Sequence, residues 1–236
     1  MDAQTLGLAL AWYLTFIFST SFHEAAHAFV ALKLGDPTAY HGGQVSLNPL
    51  PHMRREPFGM ILAPIFSFFL FGWTLGWASV PYDPVWADRY PRRAAWMSLA
   101  GPAANLILIL VAALAIHLGL FLGVFYAPES IRHDDVTLAV ADAPAIARAL
   151  ATVVSILFTL NLILMVFNLL PLPPLDGSGA LPLLLKGPAL RRYQDIMRQP
   201  GVSLIGLIIA WNLFKYLFRP IHALALNLLY PGSGYQ

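Results

Sequence analysis

The sequence has no cysteine and few charged residues. The lack of Cys among 236 residues excludes disulfide frameworks, thiol catalysis and thiolate metal sites. Charged residues make up 11% and hydrophobic residues 58%, whereas a soluble domain carries about a quarter charged residues. The net charge is only +2 and no basic run exceeds two residues, so no nucleic-acid partner is expected. This composition indicates an integral membrane protein.

Long apolar runs predict an all-α polytopic membrane protein. A helix needs about 20 apolar residues to span the hydrocarbon core. Four such runs occupy residues 3–34, 58–80, 94–126 and 149–175, and a weaker fifth occupies 202–230. We therefore expect about four to six membrane helices in one membrane-embedded domain over 1–236. Its motif-bearing core covers about 5–180 and a C-terminal helical segment covers about 201–230.

The first run contains the motif His23-Glu24-Ala25-Ala26-His27. Residues i and i+4 lie on one face of a helix, so His23 and His27 can bind one metal ion with Glu24 beside them. Ionisable groups in an apolar helix are costly when left uncompensated, and they are functional candidates for that reason. The pattern predicts one Zn²⁺ ion held by the two histidines, with Glu24 as the general base toward water.

A third protein ligand is expected in the segment that follows the fourth run. Asp176 is the first acidic residue after Asp142, and it lies next to the end of a ten-residue stretch from Asn168 to Gly177 that contains three prolines. Proline cannot continue a helix, so the backbone should unwind where this carboxylate enters. We predict Asp176 as the third zinc ligand; the alternative is a surface aspartate in a loop that ends the helix.

Together these motifs resemble the site-2 protease family of intramembrane zinc metalloproteases, in its compact bacterial branch without accessory domains. The resemblance covers roughly residues 15–180 and rests on three motifs: His23-Glu24-x-x-His27, Gly101-Pro102-x-x-Asn105 and Asn168-x-x-Pro171-x-x-x-x-Asp176-Gly177. It implies zinc held by His23, His27 and Asp176, water activated by Glu24, and regulated cleavage of a single-span membrane protein within the lipid bilayer. The implied location is the bacterial inner membrane.

Three further residues are candidates for supporting roles. Asn168 is expected either to orient Asp176 or to satisfy the unwinding backbone. For Asn105, close helix packing beside Gly101-Pro102 is the favoured role, with hydrogen bonding across helices as the alternative. His52 is a candidate either to reach the mouth of the active site or to stabilise a developing oxyanion; the favoured alternative is a surface or interfacial histidine.

The glycine-rich stretch from Gly42 to Leu47 predicts a small β-hairpin near the active site. A protease must hold its substrate in an extended conformation, and an exposed strand edge could do this by pairing with it. The alternative is a hairpin that only connects two membrane segments.

A shared metal requires the first and fourth runs to end on the same side of the membrane. Strict alternation of four crossings forbids this and divides the basic loop residues seven against five. If 58–80 instead turns back to its own side, ten basic residues share one face and two, Arg132 and Arg148, share the other. Because basic residues concentrate on the cytoplasmic side, this predicts a re-entrant 58–80 and an active site toward the cytoplasm.

Two other functions remain open at this stage. One is a metal-binding membrane scaffold or transporter without proteolytic activity, and the other is zinc-dependent hydrolysis of a non-peptide substrate such as a lipid. Glu24 argues against the first, because a metal carrier needs the histidines but no general base.

Overall fold

The computed structural model describes residues 2–235, and its regular structure is almost entirely helical. The ten α-helices of the described residues are α1 (Ala3–Leu34), α2 (Thr38–His41), α3 (Pro49–Arg55), α4 (Ala63–Phe71), α5 (Pro84–Arg89), α6 (Pro91–Phe121), α7 (Ala145–Asn168), α8 (Asp176–Ala180), α9 (Gly187–Met197) and α10 (Val202–Leu229). A π-helix (Phe58–Leu62) leads into α4, and a 3₁₀-helix (Leu181–Leu183) follows α8.

Four of these helices, α1, α6, α7 and α10, are long and apolar enough to cross a membrane. The shortest, α7, has 24 residues and is therefore about 36 Å long, against a hydrocarbon core of about 30 Å. The protein is thus an all-α polytopic membrane protein, as predicted. The weaker fifth run forms the single helix α10, which continues through Pro220.

Contacts divide the chain into two compact units. The first contains the chain up to residue 24 together with 46–79 and 105–162, and the second contains 25–45, 80–104 and the chain from 163 onward. Helices α1, α6 and α7 each contribute residues to both units. The single membrane-embedded domain expected from the sequence stays a prediction.

In the first unit, the chain of segment 58–80 turns back on itself. After α4 the backbone is extended, and the Trp77 N–H donates to the Gly59 carbonyl at 3.2 Å. The Ser79 hydroxyl then donates to Glu56 at 2.5 Å. The end of the segment therefore lies beside its beginning, as a re-entrant segment requires; its return to the same side of a membrane stays a prediction.

The first unit also contains a two-stranded antiparallel sheet, formed by β1 (Phe125–Tyr126) and β2 (Leu138–Ala139). A small hairpin is therefore present, but its predicted position between Gly42 and Leu47 was wrong. Those residues form a turn after α2 because the Gln44 N–H donates back to the Ala39 carbonyl, at 2.9 Å, instead of extending. Because residues 42–47 form no strand, they offer no strand edge with which a substrate could pair.

In the second unit, α7 ends at Asn168, and the chain stays non-helical until Asp176 begins α8. This is the unwinding that the proline-rich sequence predicts. The return of the chain is tight: a Cβ atom on Gly177 would overlap the backbone carbonyls of Leu169 and Leu170. Only glycine fits there, so the position of Asp176 is set by close backbone packing.

Helix α10 packs against the same unwound segment. A Cβ atom on Gly206 would overlap the carbonyl oxygen of Pro173, and Leu170 and Leu175 form a buried cluster with Ala210. The Asp176 segment is therefore held by apolar and steric contacts.

The loop after α1 is fixed by Asp36. Its carboxylate accepts hydrogen bonds from the backbone and hydroxyl of Thr38, at 2.9 and 2.6 Å, and from the Asp83 N–H at 2.9 Å. Burial alone would raise the pKa of Asp36, but these hydrogen bonds outweigh it and hold the pKa below its ordinary value. Asp36 therefore stays charged at neutral pH and joins the end of α1 to the start of α5.

Candidate metal centre

The three residues of the first motif are buried in α1. His23, Glu24 and His27 are 6%, 5% and 5% exposed. About 30 Å of uncharged helix precedes them, since residues 3–22 carry no charge and each adds 1.5 Å. Three ionisable side chains at this depth need compensating partners.

His27 has its orientation fixed by the backbone of α6. Its Nδ1 lies 2.7 Å from the carbonyl oxygen of Met97. A carbonyl can only accept, so Nδ1 carries the proton and Nε2 keeps its lone pair. That Nε2 lies 3.3 Å from Oδ1 of Asp176. The histidine is therefore in the tautomer that binds a metal, with a carboxylate oxygen beside its Nε2.

One ligand atom from each of His23, His27 and Asp176 lies within 4.8 Å of the others. Zn–N and Zn–O bonds of about 2.0–2.1 Å in a tetrahedron place two ligand atoms about 3.4 Å apart. The 3.3 Å between His27 and Asp176 matches this edge and is longer than a charge-assisted hydrogen bond of about 2.7–2.9 Å. These residues fit a zinc ion, with a fourth position left for water.

His23 is supported by a chain of buried side chains. Its Nδ1 lies 2.6 Å from Oδ1 of Asn105, and Asn105 Nδ2 donates to Asn161 Oδ1 at 2.8 Å. Asn161 Nδ2 donates in turn to the Ser19 hydroxyl at 2.9 Å and to the Leu157 carbonyl at 2.8 Å. Asn105, Asn161 and Ser19 are fully buried. Asn105 therefore bonds across helices, which was the less favoured of its two expected roles.

Three groups of this site were not among the residues predicted from the sequence. Ser19 precedes His23 by one turn on the same helix face, and Asn161 is an amide in an apolar span; both features indicate a buried polar partner. The third group, the carbonyl of Met97, has no sequence signature because every residue has one.

The two remaining sequence candidates have different surroundings. His52, in α3, is fully buried, and its Nε2 lies 3.0 Å from the Ser46 carbonyl oxygen. Asn168 is partly buried as the last residue of α7. A role for His52 at the mouth of the site and a role for Asn168 beside Asp176 stay predictions.

Comparison with known proteins adds independent findings. The sequence model of "Peptidase family M50" matches residues 11–211. The chain is 38% identical over 176 residues to "Putative zinc metalloprotease YwhC" of Bacillus subtilis, covering 72% of this chain and 68% of that protein. It is 30% identical over 165 residues to "Putative zinc metalloprotease Rip2" of Mycolicibacterium smegmatis, covering 70% of this chain and 53% of that protein.

A protein of the same name from Mycobacterium tuberculosis is 29% identical over 204 residues, covering 86% of this chain and 68% of that protein. No solved structure gives a significant match.

Proposed function

This chain belongs to peptidase family M50 and is an integral membrane zinc metalloprotease, and from that premise we propose that it cleaves protein substrates within or next to their membrane-spanning segments. The observation that carries the proposal is the position of the buried His23, Glu24 and His27 in an apolar helix long enough to cross the bilayer. A protease for soluble substrates has no need to place its ionisable groups in a membrane-spanning helix, where they are costly.

The proposed zinc ligands are His23, His27 and Asp176, whose ligand atoms converge. A zinc ion held there would lower the pKa of water to about 7 and polarise the scissile carbonyl. Each histidine has its Nδ1 beside a carbonyl oxygen, of Asn105 or of Met97. These contacts orient the rings and leave Nε2 for the ion.

Glu24 is the proposed general base. It lies three residues before His27, and residues i and i+3 are neighbours on a helix surface. Its carboxylate takes a proton from the attacking water and returns it to the leaving amine when the peptide bond breaks. Such general acid–base catalysis contributes about 10²–10⁴-fold to the rate. Burial of Glu24 to 5% exposure excludes bulk water from competing for that proton.

The proposed substrate is a single-span membrane protein, cut as a step of regulated intramembrane proteolysis. Family members act on membrane-protein substrates. A transmembrane helix hides its carbonyls in its own hydrogen bonds, so it must unwind before attack, and helix-breaking residues in the substrate lower that cost. We therefore expect cleavage near glycine, proline or polar residues of a substrate span.

The proposed orientation places the active site toward the cytoplasm of a bacterial inner membrane. In this orientation segment 58–80 is re-entrant, which the contacts between its two ends support. Ten basic residues would then share the face on which α1 and α7 end: Lys33, Arg54, Arg55, Arg89, Arg92, Arg93, Lys186, Arg191, Arg192 and Arg198. Only Arg132 and Arg148 lie in the loop between α6 and α7, which supports this orientation. A reporter fused after Pro81 should report the cytoplasm; an external location would overturn the orientation.

The decisive test replaces Glu24 with Gln. In purified full-length protein, E24Q should retain zinc while cleavage falls at least about 100-fold, because only the base is removed. In cells, single-span membrane proteins should accumulate uncut in the E24Q strain when membrane proteomes are compared with wild type.

The matched control is Glu129→Gln, the same chemical change at an exposed residue in the loop after α6. It should leave zinc content and cleavage unchanged. If E24Q cleaves substrate at the wild-type rate, Glu24 is not the general base. If no membrane protein accumulates in the E24Q strain, the intramembrane substrate is wrong even though the protease assignment stands.

A further inference from the structure

A buried chain of hydrogen bonds connects the backbone of α7 to the metal-facing ring of His23. It runs from the Leu157 carbonyl through Asn161 and Asn105 to His23 Nδ1. We propose that Asn161 and Asn105 are positioning residues that transmit the direction of hydrogen bonding from the Leu157 carbonyl and so fix the zinc-binding tautomer of His23. This proposal rests on the metal-binding role of His23 in the proposed function.

The direction is set at the α7 end of the chain. A backbone carbonyl has no hydrogen to give, so the group of Asn161 that lies 2.8 Å from the Leu157 oxygen must be its amide nitrogen. The carbonyl oxygen of the same side chain then points the other way, toward Asn105. The two ends of an asparagine amide are alike in shape, and this contact is what tells them apart.

The same reasoning applies to the next two contacts. Asn161 Oδ1 can only accept, so Asn105 must present its Nδ2, at 2.8 Å. Asn105 Oδ1 is thereby turned to His23, where it faces Nδ1 at 2.6 Å. Nδ1 must therefore donate. A neutral imidazole has one N–H, so the proton on Nδ1 leaves Nε2 with the lone pair that zinc requires.

Ser19 has a different part in the chain. It accepts the second N–H of Asn161 at 2.9 Å, but a hydroxyl can donate as well as accept. Ser19 therefore satisfies a hydrogen bond without specifying a direction. Because Ser19, Asn105 and Asn161 are fully buried, reversing any one amide would place two acceptors face to face with no water to relieve them.

The first experiment compares two substitutions at Asn161 in the full-length protein. In N161L the acceptor for Asn105 is lost, so Asn105 is free to reverse and zinc affinity should fall about tenfold or more, within the range for lost outer-shell partners. In N161D, neutral or ionised, a carboxyl oxygen still accepts from Asn105, so affinity should stay within about threefold of wild type. Affinity is measured by competition with a chelator of known zinc affinity.

One control variant separates positioning from stability. Ser155→Ala removes a fully buried hydroxyl of α7 that bonds to the backbone of Thr137. It should keep wild-type zinc affinity even where the melting temperature falls. Equal zinc affinity of N161L and wild type would overturn the proposal, as would an equal loss in N161L and Ser155→Ala.

A second experiment reads the tautomer in the wild-type protein and needs no activity measurement. Nitrogen NMR of histidine-labelled, zinc-free wild-type protein reads the tautomer of His23 directly, with the signal assigned through a His23→Gln variant. The proton should be on Nδ1; a proton on Nε2 would overturn the proposal. If the wild type instead shows this tautomer but binds no zinc, the proposed function fails while the hydrogen-bond chain stands.

Discussion

The two histidines of α1 lie one helical turn apart, yet their supports are of different kinds. In the second unit, His27 is oriented by a backbone carbonyl, that of Met97, at 2.7 Å. In the first unit, His23 is oriented by the side chain of Asn105 at 2.6 Å, and Asn105 by Asn161 behind it. A backbone carbonyl survives any substitution of its residue, whereas a side-chain support can be lost through one mutation.

The difference extends to Asp176, the proposed third ligand. Asp176 lies beside His27 at 3.3 Å, and its segment is held by close backbone packing at Gly177. The His27 side of the site is therefore held by backbone contacts and close packing, whereas the His23 side is held by hydrogen bonds between side chains. Replacing a polar group with an apolar one of similar size near His23 should lower zinc affinity. Adding volume near Asp176 should lower it as well.

The largest change in zinc affinity is expected when the hydrogen-bond partner of His23 is replaced, compared with the partner of His27. Asn105→Leu removes the side-chain acceptor that lies 2.6 Å from His23 Nδ1, so zinc affinity should fall about 10–100-fold. Met97→Leu keeps the carbonyl that orients His27 and conserves volume in a buried cluster with Ala31 and Trp86. Its zinc affinity should stay within about threefold of wild type.

Asn105→Asp is the informative control for that pair. An aspartate still accepts from His23 Nδ1, and carboxylate–histidine–zinc arrangements are common in metal sites. It should therefore recover zinc affinity relative to Asn105→Leu, as measured by the same chelator competition. If Met97→Leu loses as much affinity as Asn105→Leu, the two supports do not differ as described.

Much of the fold could be predicted because the bilayer restricts it. The run 3–34 became α1 with the same bounds, and α7 ends where three prolines follow Asn168. The return of segment 58–80 followed from requiring His27 and Asp176 to meet. The hairpin was misplaced because glycines between Gly42 and Leu47 allow a helical turn as readily as a strand turn.

The site could be predicted only in part. His23, His27 and Asp176 carry recognisable ligand atoms at recognisable spacings, and the structure brings them together. Their supports could not be found in the same way. Which partner Asn161 meets depends on how α7 faces α6 and α1, and an apolar span without a clear polar face does not specify that rotation.

The smaller effect is expected on the Asp176 side, where the variant is Gly177→Ala. The added methyl would overlap the carbonyls of Leu169 and Leu170, a strain of about 1–3 kcal/mol. Zinc-free protein can relieve part of this strain, about 0.7–1.4 kcal/mol, by moving Asp176 outward, and zinc binding must then restore that part; each 1.4 kcal/mol relieved is a tenfold loss of affinity. We expect roughly a threefold to tenfold loss by chelator competition, with the tautomer of His23 unchanged in the NMR spectrum. The matched control, Gly7→Ala in α1, adds its methyl into open space and should leave zinc affinity unchanged. A changed His23 tautomer in Gly177→Ala would mean that close packing and side-chain hydrogen bonds are not separate supports.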